Sequence, residues 1–150
     1  MPRMAQFVTI ALVLTLPAVA MAGPAEDANA VVDRWSAAYS GNDPETIAKN
    51  YCPDALLLGT VSPVMSEGTQ AIITYFTPTK GSGNKNTIDE RRTITINDSA
   101  VQVAGFYTFT RMMDGKAVPV SARYTMLVTK RGSEWCIAHH HSSPRVLPKN

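Results

Sequence analysis

The sequence predicts an α+β domain in which N-terminal helices pack into a curved antiparallel sheet. Three observations predict it. The first half of the chain after an apolar leader repeats apolar residues at helical spacing, the second half alternates as strands divided by two-residue turn signals, and the length left after the leader fits one hydrophobic core. Helices followed by a long antiparallel meander bury their apolar faces against one another only if the sheet curls round the helices.

The leader comes first. Arg3 supplies one positive charge, and Phe7 to Leu16 is an apolar run too short to span a bilayer, as expected of a secretory signal. Pro17 breaks it, and Ala20-Met21-Ala22 offers small residues for cleavage before Gly23. The expected organisation is therefore a signal peptide over 1–22 and one domain over 23–150, periplasmic or secreted, with no membrane association after cleavage. No cysteine stands directly after the apolar run to take a lipid.

Ala28, Val31, Val32, Trp35 and Ala38 predict an amphipathic helix over Ala25 to Tyr39, with Gly41 as its terminator. Asp43-Pro44 is an N-cap and first-turn proline for a short second helix carrying Ile47, Ala48 and Tyr51 inward, closed by Cys52-Pro53-Asp54. Ala55 to Thr60 is a buried strand, Ser62-Pro63 interrupts it, and Glu67 to Phe76 is a third helix. Thr77 to Asn86, rich in Pro, Lys, Gly, Ser and Asn, reads as a mobile rim loop of the kind that often carries function. Strands follow over Asp89–Ile96, Val101–Met112, Val118–Lys130 and Glu134–Ser142, with turns at Asn97-Asp98, Asp114-Gly115 and Gly132-Ser133.

Charge excludes some functions. Removing Arg3 from the formal net charge of +2 leaves +1, and the basic residues are scattered, so a nucleic-acid partner is not expected. The two cysteines, Cys52 and Cys136, can form a disulfide in an oxidising compartment or serve as two buried thiols, and the sequence leaves both open. His139, His140 and His141 place two imidazoles on one strand face and one on the other, but two ligands do not make a zinc site and no metal or other cofactor is expected.

The run from Trp35 to Glu45 (Trp-Ser-Ala-Ala-Tyr-Ser-Gly-Asn-Asp-Pro-Glu), the Tyr51-Cys-Pro-Asp-Ala turn, Met113-Asp-Gly before a strand and the closing Trp135-Cys-Ile-Ala-His-His-His-Ser-Ser resemble the calcium/calmodulin-dependent protein kinase II association-domain family. The resemblance reaches, more loosely, to SnoaL-like cyclases and ketosteroid isomerases. It implies the nuclear transport factor 2-like cone, a cavity between sheet and helices, and a homodimer or higher homo-oligomer. It does not imply kinase activity, for no Gly-rich phosphate loop or catalytic-loop Asp is present in the sequence. The arginines that hold a carboxylate in the eukaryotic relatives align with Thr108, Met126 and Ser142, which leaves Arg92 or Arg123 to reach in if an anion is bound.

Strand alternation combined with that alignment places Ser142, His140, Ala138 and Cys136 on the cavity side of the last strand, and Trp135, Ile137, His139 and His141 on the other. The expected cavity set is Trp35, Phe106, Thr108, Tyr124, Met126, His140 and Ser142. Two functions follow from this set. One is a non-catalytic, oligomeric small-molecule-binding or assembly module taking a small apolar or carbonyl ligand. The alternative is an isomerase- or cyclase-like enzyme acting on a hydrophobic carbonyl compound, with His140 or Asp33 as base and Tyr124 or Tyr107 donating to a developing oxyanion.

Overall fold

The computed structural model describes residues 22–146, so residues 1–21 of the expected signal segment and the last four residues lie outside the described residues. Helix α1 (Pro24–Gly41) buries Ala28, Val31, Val32, Trp35 and Tyr39 along one stripe, the face its apolar spacing dictates. It ends not at Gly41 but at Asn42, whose φ of 59° is the left-handed cap conformation that asparagine tolerates, and whose side-chain amide donates to the Tyr39 carbonyl. Helix α2 (Pro44–Ala48) starts as expected, with Asp43 accepting from the Thr46 amide at 3.1 Å and Pro44 in the first turn. It is only five residues long, and Tyr51 opens strand β1 (Tyr51–Leu58) rather than closing the helix. After the two-residue β2 (Ser66–Glu67) comes α3 (Gly68–Phe76), which buries Ile72 and Phe76.

Strands β3 (Lys85–Asn97), β4 (Ala100–Met113), β5 (Lys116–Arg131) and β6 (Glu134–Pro144) form the expected meander. The β4–β5 hairpin turns on Asp114 and Gly115, both at positive φ, which is the backbone that lets a two-residue turn match strand twist. The sheet order is β2-β1-β6-β5-β4-β3. It is mixed rather than wholly antiparallel, because β1 lies parallel to β6. A parallel neighbour requires a long crossover, and here everything from α3 to β5 supplies it.

Two irregularities set which side chains face inward. In β6 the register against β5 slips so that Val128 pairs with Ile137 while Leu127 pairs with His139, leaving Ala138 bulged. Ile137, His140 and Ser142 are consequently all buried, and Ile137 joins the inner face instead of the outer one expected for it. In β3 a slip between Ile88 and Glu90 brings the Glu90 carbonyl against Gly105, where any Cβ would collide with backbone. The segment expected as a mobile loop is short and tied down: Thr77–Thr79 is a 3-10 turn, β3 already starts at Lys85, and Asn42 donates to the Asn84 carbonyl at 2.7 Å.

Cys52 and Cys136 are joined by a disulfide that links β1 to β6 across 84 residues, beside the stretch of β1 where pairing to β6 is interrupted. Closing a loop of that size is worth about 4 kcal/mol in the chain-entropy model.

Two stability predictions follow from these contacts. Reduction, or the C52S/C136S double variant, lowers the free energy of unfolding by about 4 kcal/mol, read from urea titrations with and without reductant. Replacing Gly105 with Ala costs about 2 kcal/mol through overpacking, whereas the same change at the open Gly115 position acts only through backbone strain; paired thermal melts separate the two.

Candidate functional site

The concave face of the sheet and the helices enclose a cavity of about 390 Å³ that opens between α3, the Thr77–Asn84 segment and the end of β4. Its walls are aromatic. Trp35 packs within 5.8 Å of both Tyr39 and Tyr107, and Phe109 within 4.9 Å of Tyr39, measured between ring centroids. Leu57, Phe76 and Pro78 add to the apolar lining, with Val61, Met112 and Met113.

Through the deep end runs a chain of hydrogen bonds. The Trp35 indole N–H donates to the Tyr51 hydroxyl at 2.9 Å, and that hydroxyl meets His140 Nδ1 at 2.8 Å. His140 Nε2 lies 3.3 Å from the Tyr107 hydroxyl, which donates to Ser142 Oγ, and Ser142 is bonded in turn to the Thr60 hydroxyl. Each member is placed by local structure: Trp35 by the apolar stripe of α1, Tyr51 by the start of β1, Tyr107 by β4, and His140 with Ser142 by the bulge in β6.

His140 is 1% exposed, and burial pushes its pKa down to about 3, assisted by His139 and His141 on either side. It is neutral at physiological pH. Burial likewise raises the Tyr107 and Tyr51 hydroxyls, both of which stay protonated. None of the residues lining the cavity carries a carboxylate, while Arg111 lines it near Tyr39 and Tyr75, partly buried and outside the three ion pairs formed among the described residues. The cavity therefore combines an apolar body, neutral hydroxyls within and one guanidinium.

Of the residues expected here, Trp35, His140 and Ser142 line this cavity, as does Tyr107. Phe106 and Thr108 do not. In β4 the buried positions are Val101, Val103, Tyr107 and Phe109, so the residues between them point to the outer face. There Thr108 donates to Asp89 at 2.8 Å and Phe106 lies 3.7 Å beneath the Arg145 guanidinium. Tyr124 and Met126 are buried on the inner side but fill core rather than line the cavity, and the Tyr124 hydroxyl has no hydrogen-bond partner. Asp33, on α1 with its side chain 59% exposed, pairs with Arg91 and lies outside the cavity.

Neither Arg92, paired with Glu90, nor Arg123, donating to the Pro144 carbonyl, reaches the cavity. Sequence reasoning missed Arg111, although it follows Tyr107 and Phe109 at the strand period. Among the described residues no three His, Cys, Asp or Glu side chains cluster to hold a metal ion, and no helix is long and apolar enough to cross a membrane.

The model of the calcium/calmodulin dependent protein kinase II association domain matches residues 25–146, all but the first three of the described residues. The chain belongs to this family. A putative association domain from Xanthomonas campestris is 35% identical, with a TM-score of 0.76 over 88% of this chain and 93% of that one. The hub homology domain of the kinase from Chlamydomonas reinhardtii superposes with a TM-score of 0.67 at 22% identity, covering 80% of this chain and 97% of its own. A ketosteroid isomerase-like protein from Erwinia carotovora atroseptica, 16% identical, gives 0.68 over 82% and 97% and shares the fold. No curated protein matches the chain. Membership in the association-domain family accounts for the cone, with helices gathered at the N-terminus and a mixed sheet curved round them.

Burial of neutral His140 makes stability pH-dependent. Its folded pKa of about 3 lies below the unfolded value of 6.5, so the unfolded chain binds the extra proton as pH falls. The contribution is whole above pH 6.5 and is lost progressively from there down towards pH 3. Between pH 7 and pH 5 the free energy of unfolding drops by about 2 kcal/mol from this group, before the carboxylates titrate. Urea titrations at the two pH values measure the drop, and His140→Gln abolishes that part of the slope.

Proposed function

We propose that this chain is an exported, homo-oligomeric module that binds a small molecule in its aromatic cavity, with no kinase activity of its own. The observation that carries the reading is the cavity itself: about 390 Å³, walled by aromatic rings, and polar at a few hydroxyls, Asn84, His140 and Arg111. That combination suits a compact ligand with an apolar body and a small number of oxygens. The alternative of a pure assembly module leaves the cavity without a role. Export is supported by the leader pattern ahead of Gly23 and by the disulfide, which suits an oxidising compartment. Self-association is supported by the family and by the relative described as a hub homology domain.

An enzyme of the isomerase or cyclase kind has one observation in its favour, the imidazole of His140 within 3.3 Å of a tyrosine hydroxyl at the cavity. Against it, both ring nitrogens are already engaged, the ring is held far below the basicity a general base needs, and no carboxylate lines the cavity to replace it. Asp33 is committed to Arg91. The binding reading is therefore preferred.

Native mass spectrometry on protein recovered from a periplasm without reducing agent tests it. The expected species is an oligomer whose subunits each start at Gly23, lack two hydrogens, and retain a small molecule lost on denaturation. An oligomer that stays empty after incubation with small aromatic ketones and acids leaves only the assembly role.

A further inference from the structure

The direction of the buried hydrogen-bond chain determines what the cavity can recognise, and one atom fixes it. An indole N–H only donates. Trp35 therefore makes the Tyr51 oxygen an acceptor, and the hydrogen of that hydroxyl is left to point at His140 Nδ1, 2.8 Å away. With a hydrogen on Nδ1 the Tyr51 oxygen would accept from both indole and imidazole and its own buried hydrogen would lose its acceptor, so the single proton of the neutral ring belongs on Nε2. From there it is directed at the Tyr107 oxygen, and Tyr107 passes its own hydrogen to Ser142.

A count of hydrogens completes the argument. Tyr107, Ser142 and Thr60 hold three hydroxyl hydrogens and make two contacts among themselves. With Nε2 protonated, those two contacts consume two hydrogens, and the third is left over on Ser142 or Thr60, both of which line the cavity. Handing it to the neighbouring Tyr75 hydroxyl moves the spare hydrogen to another lining residue without removing it. With the opposite tautomer the Tyr107 hydrogen turns back to Nε2, Ser142 donates to Tyr107, Thr60 donates to Ser142, and no hydrogen is left over. The deep end would then offer only lone pairs.

We infer that Trp35 and Tyr51 are positioning residues that lock His140 in its Nε2–H tautomer and thereby make the deep end of the cavity a hydrogen-bond donor, selective for a ligand bearing an acceptor oxygen such as a ketone or ester carbonyl. This rests on the cavity being a binding site. It adds the polarity of that site and names two residues that set it, Trp35 in the cavity wall and Tyr51 behind the lining.

Two measurements test it. Long-range proton–nitrogen correlation spectra of the ¹⁵N-histidine-labelled protein at pH 7 report the tautomer directly and need no variant; a protonated Nε2 with bare Nδ1 on His140 is expected, and the reverse assignment overturns the proposal. Calorimetry with three probes of similar size reads the polarity: acetophenone, which only accepts; indole, which only donates; and ethylbenzene, which does neither. Acetophenone is expected to bind about tenfold more tightly than the other two. In Trp35→Phe the tautomers mix and that preference falls to within about twofold, and Tyr51→Phe is the second variant if the first fails to fold. Equal binding of all three probes to the wild type sinks the donor assignment while leaving the cavity reading intact. Binding of none removes the cavity reading, and the proposed selectivity with it, even where the tautomer is as expected.

Discussion

A buried indole has a single polar hydrogen and cannot leave it unpaired without a cost of about 1–3 kcal/mol, comparable to that of losing a hydrogen bond in the core. In this domain that requirement, at Trp35, organises the interior. The helix stripe that buries the ring also aims its N–H at the first residue of β1, and the Tyr51 hydroxyl so engaged carries the constraint on to His140 in β6. Tyr107 and Ser142 then tie β4 to β6 from the far side of the same imidazole. Five side chains from α1, β1, β4 and β6 thus satisfy one another where a purely apolar core would specify less. The same low-dielectric setting that keeps His140 neutral makes each of these bonds costly to break.

The disulfide works on a different link of the chain. It constrains the unfolded state over most of the domain, whereas the polar relay constrains only the folded one. Both converge on the contact between β1 and β6, which is the sole parallel pair among the described residues and is interrupted after Tyr51. The cavity sits over that contact, so the part of the sheet with the least regular backbone pairing is also the part held by covalent and side-chain bonds.

Much of this was legible in the residues. The stripe on α1, the Asp43-Pro44 cap, the four meander strands and their turns all follow from period and turn chemistry, and the structure matches them within a few residues. The face of β4 was legible too, and was misread. A two-residue hairpin at Asp114-Gly115 pairs residues of opposite parity, as Met113 with Lys116 and Gly105 with Tyr124, so Phe106 and Thr108 cannot share a face with Tyr124 and Met126. What pattern could not supply was the Ala138 bulge, which breaks the alternation of β6 and sends Ile137 inward with His140. A bulge leaves no compositional mark in a run as uniform as Ile-Ala-His-His-His. The parallel pairing of β1 was likewise invisible, because nothing local in Tyr51–Leu58 distinguishes one neighbouring strand direction from the other.

The position of β1 in the sheet also has a temporal meaning. Strands β3 to β6 join through short hairpins and can zip together from local contacts, but β1 must wait, unpaired on that side, until β6, made last, arrives beside it. Contacts of such long sequence separation are the slow part of folding. The apolar stretch from Ala55 to Leu58 is therefore the segment exposed longest to other chains, and Cys52 next to it is the thiol left waiting with it for Cys136.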